Sequence, residues 1–174
     1  MAKRDLVSSD RKNLHRLAGE FLVASRLAQR GYMTSLQWGV TTGYDLLVFD
    51  KAGNVAFLEV KSCAAKSREW VVQKKYANPT DDKIPAEQRF VCFVNLCVQE
   101  GEPEVFVLPS PILAKGLRYY FNDRFPNSTA YHLALDRNPQ GKTKLPDVKT
   151  VGQYIGAKSY LDNYSRLGVQ PIVK

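Results

Sequence analysis

The stretch of sequence that decides the fold is DLLVFDKAGNVAFLEVKS, residues 45–62. Two runs rich in branched and aromatic residues, Asp45 to Asp50 and Val55 to Ser62, flank the short polar segment KAGN. Branched and aromatic side chains favour strands, and a short segment that contains glycine and asparagine favours a turn. The sequence therefore predicts a β-hairpin at this place.

Pairing within this hairpin has a consequence for its acidic residues. A turn centred near Ala52 pairs residues whose numbers sum to about 104, which sets Asp45 opposite Glu59. Side chains alternate along a strand, so Glu59 and Lys61 share one face and Val60 points to the other. Two opposed carboxylates destabilise a hairpin unless a cation compensates them. Either the Lys61 ammonium does so in a salt bridge on a solvated face, or a divalent metal does.

A metal accounts better for two carboxylates at one place. Asp45 and Glu59 supply the hard oxygen ligands that Mg²⁺ or Mn²⁺ prefers, and the backbone carbonyl of Val60 is a candidate third ligand. Lys61 beside such a metal has two possible roles. It either orients or deprotonates the attacking water, or it stabilises negative charge in a phosphoryl transition state.

Residues 10–30 form the other informative segment, because their apolar residues recur with helical spacing. Ser9 or Asp10 is expected to cap this helix, and Gly31 is expected to end it. The predicted buried stripe consists of Leu14, Leu17, Ala18, Phe21, Ala24, Ser25 and Ala28.

Glu20 lies on the flank of that stripe, where a carboxylate is costly if it is buried without a partner. One interpretation pairs Glu20 with Arg16, four residues earlier on the same helix face. The other interpretation directs Glu20 to the acidic edge of the hairpin, as a further metal or catalytic residue.

The rest of the chain predicts a mixture of strands and helices in one domain. A helix begins near Ser110, residues 122–158 read as surface loops, and a short helix ends the chain near Gly168. Within the single domain 1–174, we expect a catalytic core over about 10–113 and a loop-rich extension over about 114–174. The further predicted strands are Met33 to Val40, Trp70 to Gln73, Arg89 to Val98 and Glu104 to Leu108.

Composition narrows the class of protein. The chain has 174 residues and a net charge of +8, and residues 1–75 carry 13 Lys and Arg against 7 Asp and Glu. This positive excess favours a polyanionic partner such as nucleic acid. No apolar run approaches the roughly 20 residues of a membrane span, and no signal peptide is visible, so we expect a cytoplasmic protein without a membrane partner.

Three segments together resemble a known family. AGEFLVASRLAQRGY, GYDLLVFD and FLEVKS are similar to the first helix, second strand and third strand of the PD-(D/E)XK nuclease superfamily. The likeness is to its Holliday-junction-resolvase-like and small restriction-endonuclease-like branches, and it covers residues 14–62, more loosely to about 113. One departure is Tyr44, where the nominal motif has proline.

The resemblance implies an α/β fold with a restriction-endonuclease-like core, in which helices flank a central mixed β-sheet. It places Glu20, Asp45, Glu59 and Lys61 at the positions of the family's acidic helix residue, metal aspartate, metal glutamate and catalytic lysine. Lys66, Arg68, Lys74 and Lys75 come after these residues in the chain and are candidates for contacts with nucleic acid.

The expected function is that of a Mg²⁺- or Mn²⁺-dependent endonuclease that hydrolyses DNA phosphodiester bonds with metal-activated water. A homodimer is expected for cleavage of both strands, because one site addresses one strand. The alternative is a catalytically silent nucleic-acid-binding module, or a subunit of a restriction or repair complex. An RNA nuclease is a third possibility, because no feature of the sequence reads a 2′-hydroxyl.

Overall fold

A computed structural model describes residues 2–37, 43–64, 69–78, 84–97, 102–123, 125–135 and 151–172. The helices are α1 (Ala2–Gln29), α2 (Ser110–Asp123) and α3 (Val151–Tyr154). The strands are β1 (Met33–Leu36), β2 (Leu46–Phe49), β3 (Val55–Cys63), β4 (Trp70–Gln73), β5 (Arg89–Asn95), β6 (Glu104–Pro109) and β7 (Ala130–Leu133). Short 3-10 helices cover Lys74–Ala77, Ala86–Gln88, Ala157–Tyr160 and Tyr164–Leu167.

Five strands form the central sheet in the order β1-β2-β3-β5-β6. The β3–β5 pair is parallel and the other neighbouring pairs are antiparallel, so the sheet is mixed as predicted. Leu46 pairs with Leu58 and Phe49 with Val55, which confirms the predicted hairpin and its register. Parallel strands need a long crossover, and residues 64–88 provide it, with β4 pairing separately with β7.

Apolar clusters cover both faces of the central sheet. On one face, Val23 and Leu27 of α1 pack with Leu58 and Cys92. On the other face, Leu117 and Phe121 of α2 belong to a cluster with Phe93 and Phe106 of the sheet. The predicted α/β class, with helices flanking a mixed sheet, is therefore confirmed. Within the described residues, no helix is both long and apolar enough to cross a membrane.

The predicted buried stripe of α1 was wrong, because none of its seven residues is buried: Leu17 and Ala24 are half-buried and the other five are exposed. Leu14 is 65% exposed and Phe21 is 47% exposed, whereas Gly19 and Glu20 are buried. The helix turns a different face to the sheet, because a glycine allows close approach at a position that a count of large apolar residues ignores. The helix also begins at Ala2, so neither Ser9 nor Asp10 caps it.

The predicted end of α1 at Gly31 is confirmed, because the helix stops at Gln29 and Gly31 has a φ of 81°. A positive φ favours glycine, which has no β-carbon to clash with the backbone. The chain then reverses into β1, which is the edge strand of the central sheet.

The interpretation of residues 122–158 as surface loops was wrong for the part that the structure describes. β7 and α3 lie there, and Leu133 and Val151 are buried. β7 and α3 have four residues each, and they are surrounded by residues rich in Asn, Pro, Gly and Lys, which favour loops. The predicted final helix is instead two 3-10 helices, whose residues Tyr164 and Leu167 join the cluster beneath α1.

Strand ends also differ from the predictions. β1 ends at Leu36 and β5 ends at Asn95, short of the predicted Val40 and Val98. Residues 38–40 and 98 lie outside the described residues, so the comparison applies to the positions before them.

Candidate active site

Asp45 lies immediately before β2, where the hairpin opens. Its backbone N–H donates to the carbonyl of Leu58 at 2.8 Å, and its Oδ2 accepts a hydrogen bond from the Val60 N–H at 2.7 Å. Burial raises the pKa of Asp45, and the charge of Glu59 raises it further, against the opposing effects of the Val60 N–H, Lys61 and Arg16. The carboxylate is thus fixed across the hairpin in a place where its ionised form is disfavoured.

Glu59 and Lys61 form an ion pair on the same face of β3. The Lys61 Nζ lies 2.5 Å from Glu59 Oε1, and the Tyr76 hydroxyl donates a hydrogen bond to the same oxygen. Burial disfavours the charged form of Lys61, yet the charge of Glu59 and hydrogen bonds to Glu59 and Tyr76 together raise its pKa. Lys61 is therefore held as an ammonium at neutral pH.

Tyr76 is a site residue that the sequence analysis missed. It belongs to the 3-10 helix Lys74–Ala77, and the Lys61 Nζ lies 5.4 Å from its ring centroid. Burial and then the charge of Glu59 raise the pKa of Tyr76 to about 12, so its hydroxyl keeps its proton. Its sequence context, a polar stretch after a short strand, gave no signal that this residue returns to β3.

Glu20 is 3% exposed and lies behind Asp45. Its Oε1 accepts a hydrogen bond from Arg16 Nη1 at 2.6 Å. Burial raises the pKa of Glu20, the charge of Asp45 raises it further, and Arg16 opposes both. The two interpretations of Glu20 are thus compatible, because it pairs with Arg16 and also lies within electrostatic range of Asp45.

Gly19 allows α1 to approach β3 closely enough to bring Glu20 to this place. A β-carbon at position 19 would lie 1.8 Å from Ser62 Oγ and 3.1 Å from Ser62 Cβ. Any other residue at this position would therefore push the helix or the serine side chain away. Gly19 therefore makes the close contact with β3, and Glu20 is the acidic residue next to it in the chain.

The fit of the residues to a metal is partial. Among the residues that the structure describes, no three His, Cys, Asp or Glu side chains form a ligand set. Asp45 and Glu59, whose charges repel, are the carboxylate pair that remains, and Val60, whose carbonyl is the third candidate ligand, follows Glu59 in the sequence. Such a pair suits a hard divalent ion that keeps several water ligands, as Mg²⁺ commonly does.

The four predicted nucleic-acid contacts differ in their positions. Lys66 and Arg68 lie outside the described residues. Lys74 donates from Nζ to the carbonyl of Pro126 at 2.7 Å, which engages it away from β3. Lys75 is exposed, and its Nζ lies 5.2 Å from the ring centroid of Tyr76, the residue that donates to Glu59.

Comparisons with known proteins give a distant structural likeness. No protein-family model matches the chain, and no curated protein matches it. Among solved structures, the bacterial homing endonuclease I-Ssp6803I is similar over 88% of each chain, with 18% sequence identity and a TM-score of 0.46. That likeness is too low to carry an argument, so the functional conclusion rests on the residues of this chain.

Proposed function

We propose that the protein is a metal-dependent endonuclease that hydrolyses phosphodiester bonds of DNA. The observation that carries the proposal is the arrangement at the open end of the β2–β3 hairpin. Leu46 and Leu58 are the last paired residues there. The residues that follow them, Asp45 and Glu59, lie close enough for the charge of Glu59 to raise the pKa of Asp45, and the ammonium of Lys61 lies 2.5 Å from Glu59. Neighbouring, partly buried carboxylates reduce stability, so a chemical role is the better explanation for their placement.

Asp45, Glu59 and the carbonyl of Val60 are the groups that would hold Mg²⁺ or Mn²⁺, and Glu20 would add negative charge behind Asp45. When bound, the ion would neutralise charge on the phosphate and lower the pKa of water. The hydrogen bond from the Val60 N–H already fixes the orientation of the Asp45 carboxylate, so Asp45 would not have to change its orientation to bind the ion. Neighbours that fix a ligand in this way are typical of functional metal sites.

Lys61 is assigned to charge stabilisation rather than to proton abstraction. Hydrolysis joins a water oxygen to phosphorus and breaks one P–O ester bond, and the leaving oxygen then takes up a proton. Negative charge grows on the phosphoryl oxygens during this exchange. The raised pKa of Lys61 keeps the side chain positive and so supports an electrostatic role, because an ammonium cannot accept a proton.

The first experiment is a cleavage assay of purified protein with Mg²⁺ or Mn²⁺. The substrates are linear duplex, nicked, flap and four-way-junction DNA, together with RNA. We expect cleavage of at least one DNA substrate and its loss in EDTA. Cleavage of RNA alone would overturn the assignment to DNA, and binding without cleavage of any substrate would favour the non-catalytic module.

The second experiment compares Asp45→Asn and Lys61→Ala with Lys51→Ala, an exposed lysine at the turn of the same hairpin. Single-turnover cleavage by the first two variants should fall on the order of a thousandfold, which corresponds to about 4 kcal/mol. Lys51→Ala should cleave at the wild-type rate. Undiminished cleavage by folded Asp45→Asn and Lys61→Ala would place the activity elsewhere and would overturn the proposal.

A homodimer belongs to the same proposal, since one site cuts one strand and two-strand cleavage needs two sites. The measurement is the mass in solution with and without duplex DNA. A monomer that nevertheless makes coupled cuts in both strands would contradict this part.

A further inference from the structure

A cleft of about 610 Å³ opens beside Lys61, between α1 and the end of β3. Its volume lies within the range of about 300–1,000 Å³ that is usual for pockets holding small molecules. The described residues that line the cleft are Lys12, His15, Lys61, Ser62, Cys63, Ala64, Glu69, Trp70 and Val71.

One wall of the cleft is basic because of the way α1 runs past the site. Lys12, Arg16 and Glu20 recur at intervals of four residues, so they share one helix face. At 1.5 Å per residue, Lys12 lies about 12 Å along the helix from Glu20. Lys12 is exposed and His15 is half-buried. Both side chains can therefore donate hydrogen bonds from nitrogen to a ligand that extends from the carboxylates of the active site along this wall.

The opposite wall of the cleft is mainly apolar. Trp70 is 3% exposed and forms part of the core, whereas the next residue, Val71, turns outward and is 59% exposed. Glu69 is the acid among the lining residues, and its Oε2 lies 3.6 Å from Nδ1 of His132. A basic wall opposite an apolar wall matches a single nucleic-acid strand, which presents phosphates on one side and base faces on the other.

We propose that this cleft holds an unpaired DNA strand that leads away from the phosphate to be cut, with Lys12 and His15 as its phosphate contacts. The proposal rests on the proposed function, because Lys61 belongs both to the candidate active site and to the lining of the cleft. The substrate would then be DNA with a single-stranded portion next to the cut, such as a flap, an overhang or an opened junction.

Fluorescence anisotropy in EDTA tests the proposal without any cleavage. The probes are a blunt duplex and the same duplex with a 5′ or a 3′ single-stranded overhang. The variants are Lys12→Gln, Lys12→Gln/His15→Gln and, as a matched control, Arg11→Gln. Arg11 is the neighbouring exposed cation and is outside the lining of the cleft, and melting temperatures verify that every variant is folded.

We expect the wild type to bind one overhang more tightly than the blunt duplex. Lys12→Gln should weaken binding of that overhang and lower the slope of log K against log salt by about 0.7, the value for one phosphate of a single strand. The double variant should lose the preference for the overhang, and Arg11→Gln should keep it.

Equal binding of blunt and overhang DNA by the wild type would overturn the proposal, as would equal losses in Lys12→Gln and Arg11→Gln. Because the assay contains no metal, these results are independent of hydrolysis. A cleaving protein without overhang preference would retain the proposed function and lose the cleft assignment. A protein that does not cleave DNA but shows the Lys12-dependent preference for the overhang would retain the cleft assignment and lose the proposed function.

Discussion

Asp45 and Asp50 flank the same strand, β2, and the surroundings affect their charges in opposite ways. Burial and the charge of Glu59 raise the pKa of Asp45. The Asn54 side chain and the backbone N–H groups of Gln170, Asn54 and Ala52 lower the pKa of Asp50. Folding therefore disfavours ionised Asp45 and favours ionised Asp50, although the two residues are chemically identical.

The prediction is that Asp45→Asn raises the melting temperature in EDTA at neutral pH, whereas Asp50→Asn lowers it. A carboxyl with a raised folded pKa makes the unfolding free energy fall as pH rises through that pKa, and this part of the pH dependence should disappear in Asp45→Asn. The stability that Asp50 contributes should be lost as pH falls through its lowered pKa. Melting curves between pH 3 and pH 8, at roughly one-unit intervals, measure both effects; a lower melting temperature for Asp45→Asn at neutral pH would contradict the assignment.

Tyr76 is expected to position Glu59 and Lys61 without touching the substrate. Tyr76→Phe removes the hydroxyl that donates to Glu59 and thereby one of the bonds that raise the pKa of Lys61. Hydrogen bonds to charged groups are worth about 1.5–3 kcal/mol, so we expect single-turnover cleavage to fall about ten- to a hundredfold. DNA affinity should not change.

The control for this variant is Tyr154→Phe, whose ring stacks on Tyr119 and which should cleave at the wild-type rate. Loss of the hydrogen bond lets the pKa of Lys61 fall toward its ordinary value. The cleavage rate of Tyr76→Phe should therefore decline at a lower alkaline pH than the rate of the wild type. A wild-type rate and pH profile for Tyr76→Phe would limit this residue to a structural role.

At the scale of residues, the features that local geometry determines were predictable from the sequence. The pairing of Leu46 with Leu58, which brings Asp45 near Glu59, depends on the length of one turn, and the shared face of Glu59 and Lys61 depends on strand alternation. Tyr76 could not be found in this way. Its contact with Glu59 depends on how the chain returns after β4, which is a tertiary arrangement that no spacing encodes.

The contact between α1 and β3 depends on a glycine. Gly19→Ala should destabilise the protein by about 1–3 kcal/mol through overpacking against Ser62. Ser62→Ala removes the oxygen that the new methyl group would meet, so the double variant should recover at least half of that loss. Alanine is also about 1 kcal/mol better than glycine inside a helix, and this gain is the same in the single and the double variant.

A double-mutant cycle by urea denaturation measures this coupling. Ser62→Ala alone should cost little, because Ser62 Oγ has no hydrogen-bond partner in the described part of the chain. Cleavage by Gly19→Ala should fall with its stability loss, since the helix also carries Glu20. Additive effects of the two substitutions would show that the helix does not depend on this close contact.

At the scale of elements, the existence of α1 and the hairpin was predictable, but the buried face of α1 was not. Large apolar residues pointed to Leu14 and Phe21, whereas the structure buries Gly19 and Glu20. A buried carboxylate is costly and looks unfavourable from sequence. Its cost is offset here by Arg16, the partner that the spacing of four residues predicted, whereas the burial of Glu20 itself depends on the packing of α1 against the sheet.

At the scale of the whole molecule, the C-terminal segment closes the core beneath α1. Tyr164, Leu167 and Val169 belong to the same apolar cluster as Val23 and Leu27. Backbone bonds tie the segment down at two further places, from Ile172 to Gly31 and from Asp162 to Val105. The sequence suggested an extension added to a catalytic core, because these residues are too scattered to show a periodic pattern.

These contacts lead us to predict that the segment and the central sheet unfold together, as the expected single domain 1–174 requires. Leu167 is 3% exposed, so Leu167→Ala should lower the free energy of unfolding by about 2–5 kcal/mol. Leu161→Ala, at a leucine that is 40% exposed, should change it by less than about 0.5 kcal/mol.

Urea denaturation, followed by tryptophan fluorescence and by far-ultraviolet circular dichroism, measures these changes. All variants carry Trp38→Phe, so that Trp70 is the tryptophan that remains. Trp70 lies in the cluster that packs beneath α2, so fluorescence reports on the face of the sheet opposite Leu167. If Leu167→Ala shifts both transitions to the same lower urea concentration, the two faces unfold as one unit. If the fluorescence transition stays at the wild-type midpoint while the dichroism transition moves, the C-terminal segment unfolds separately and the single-domain prediction is wrong.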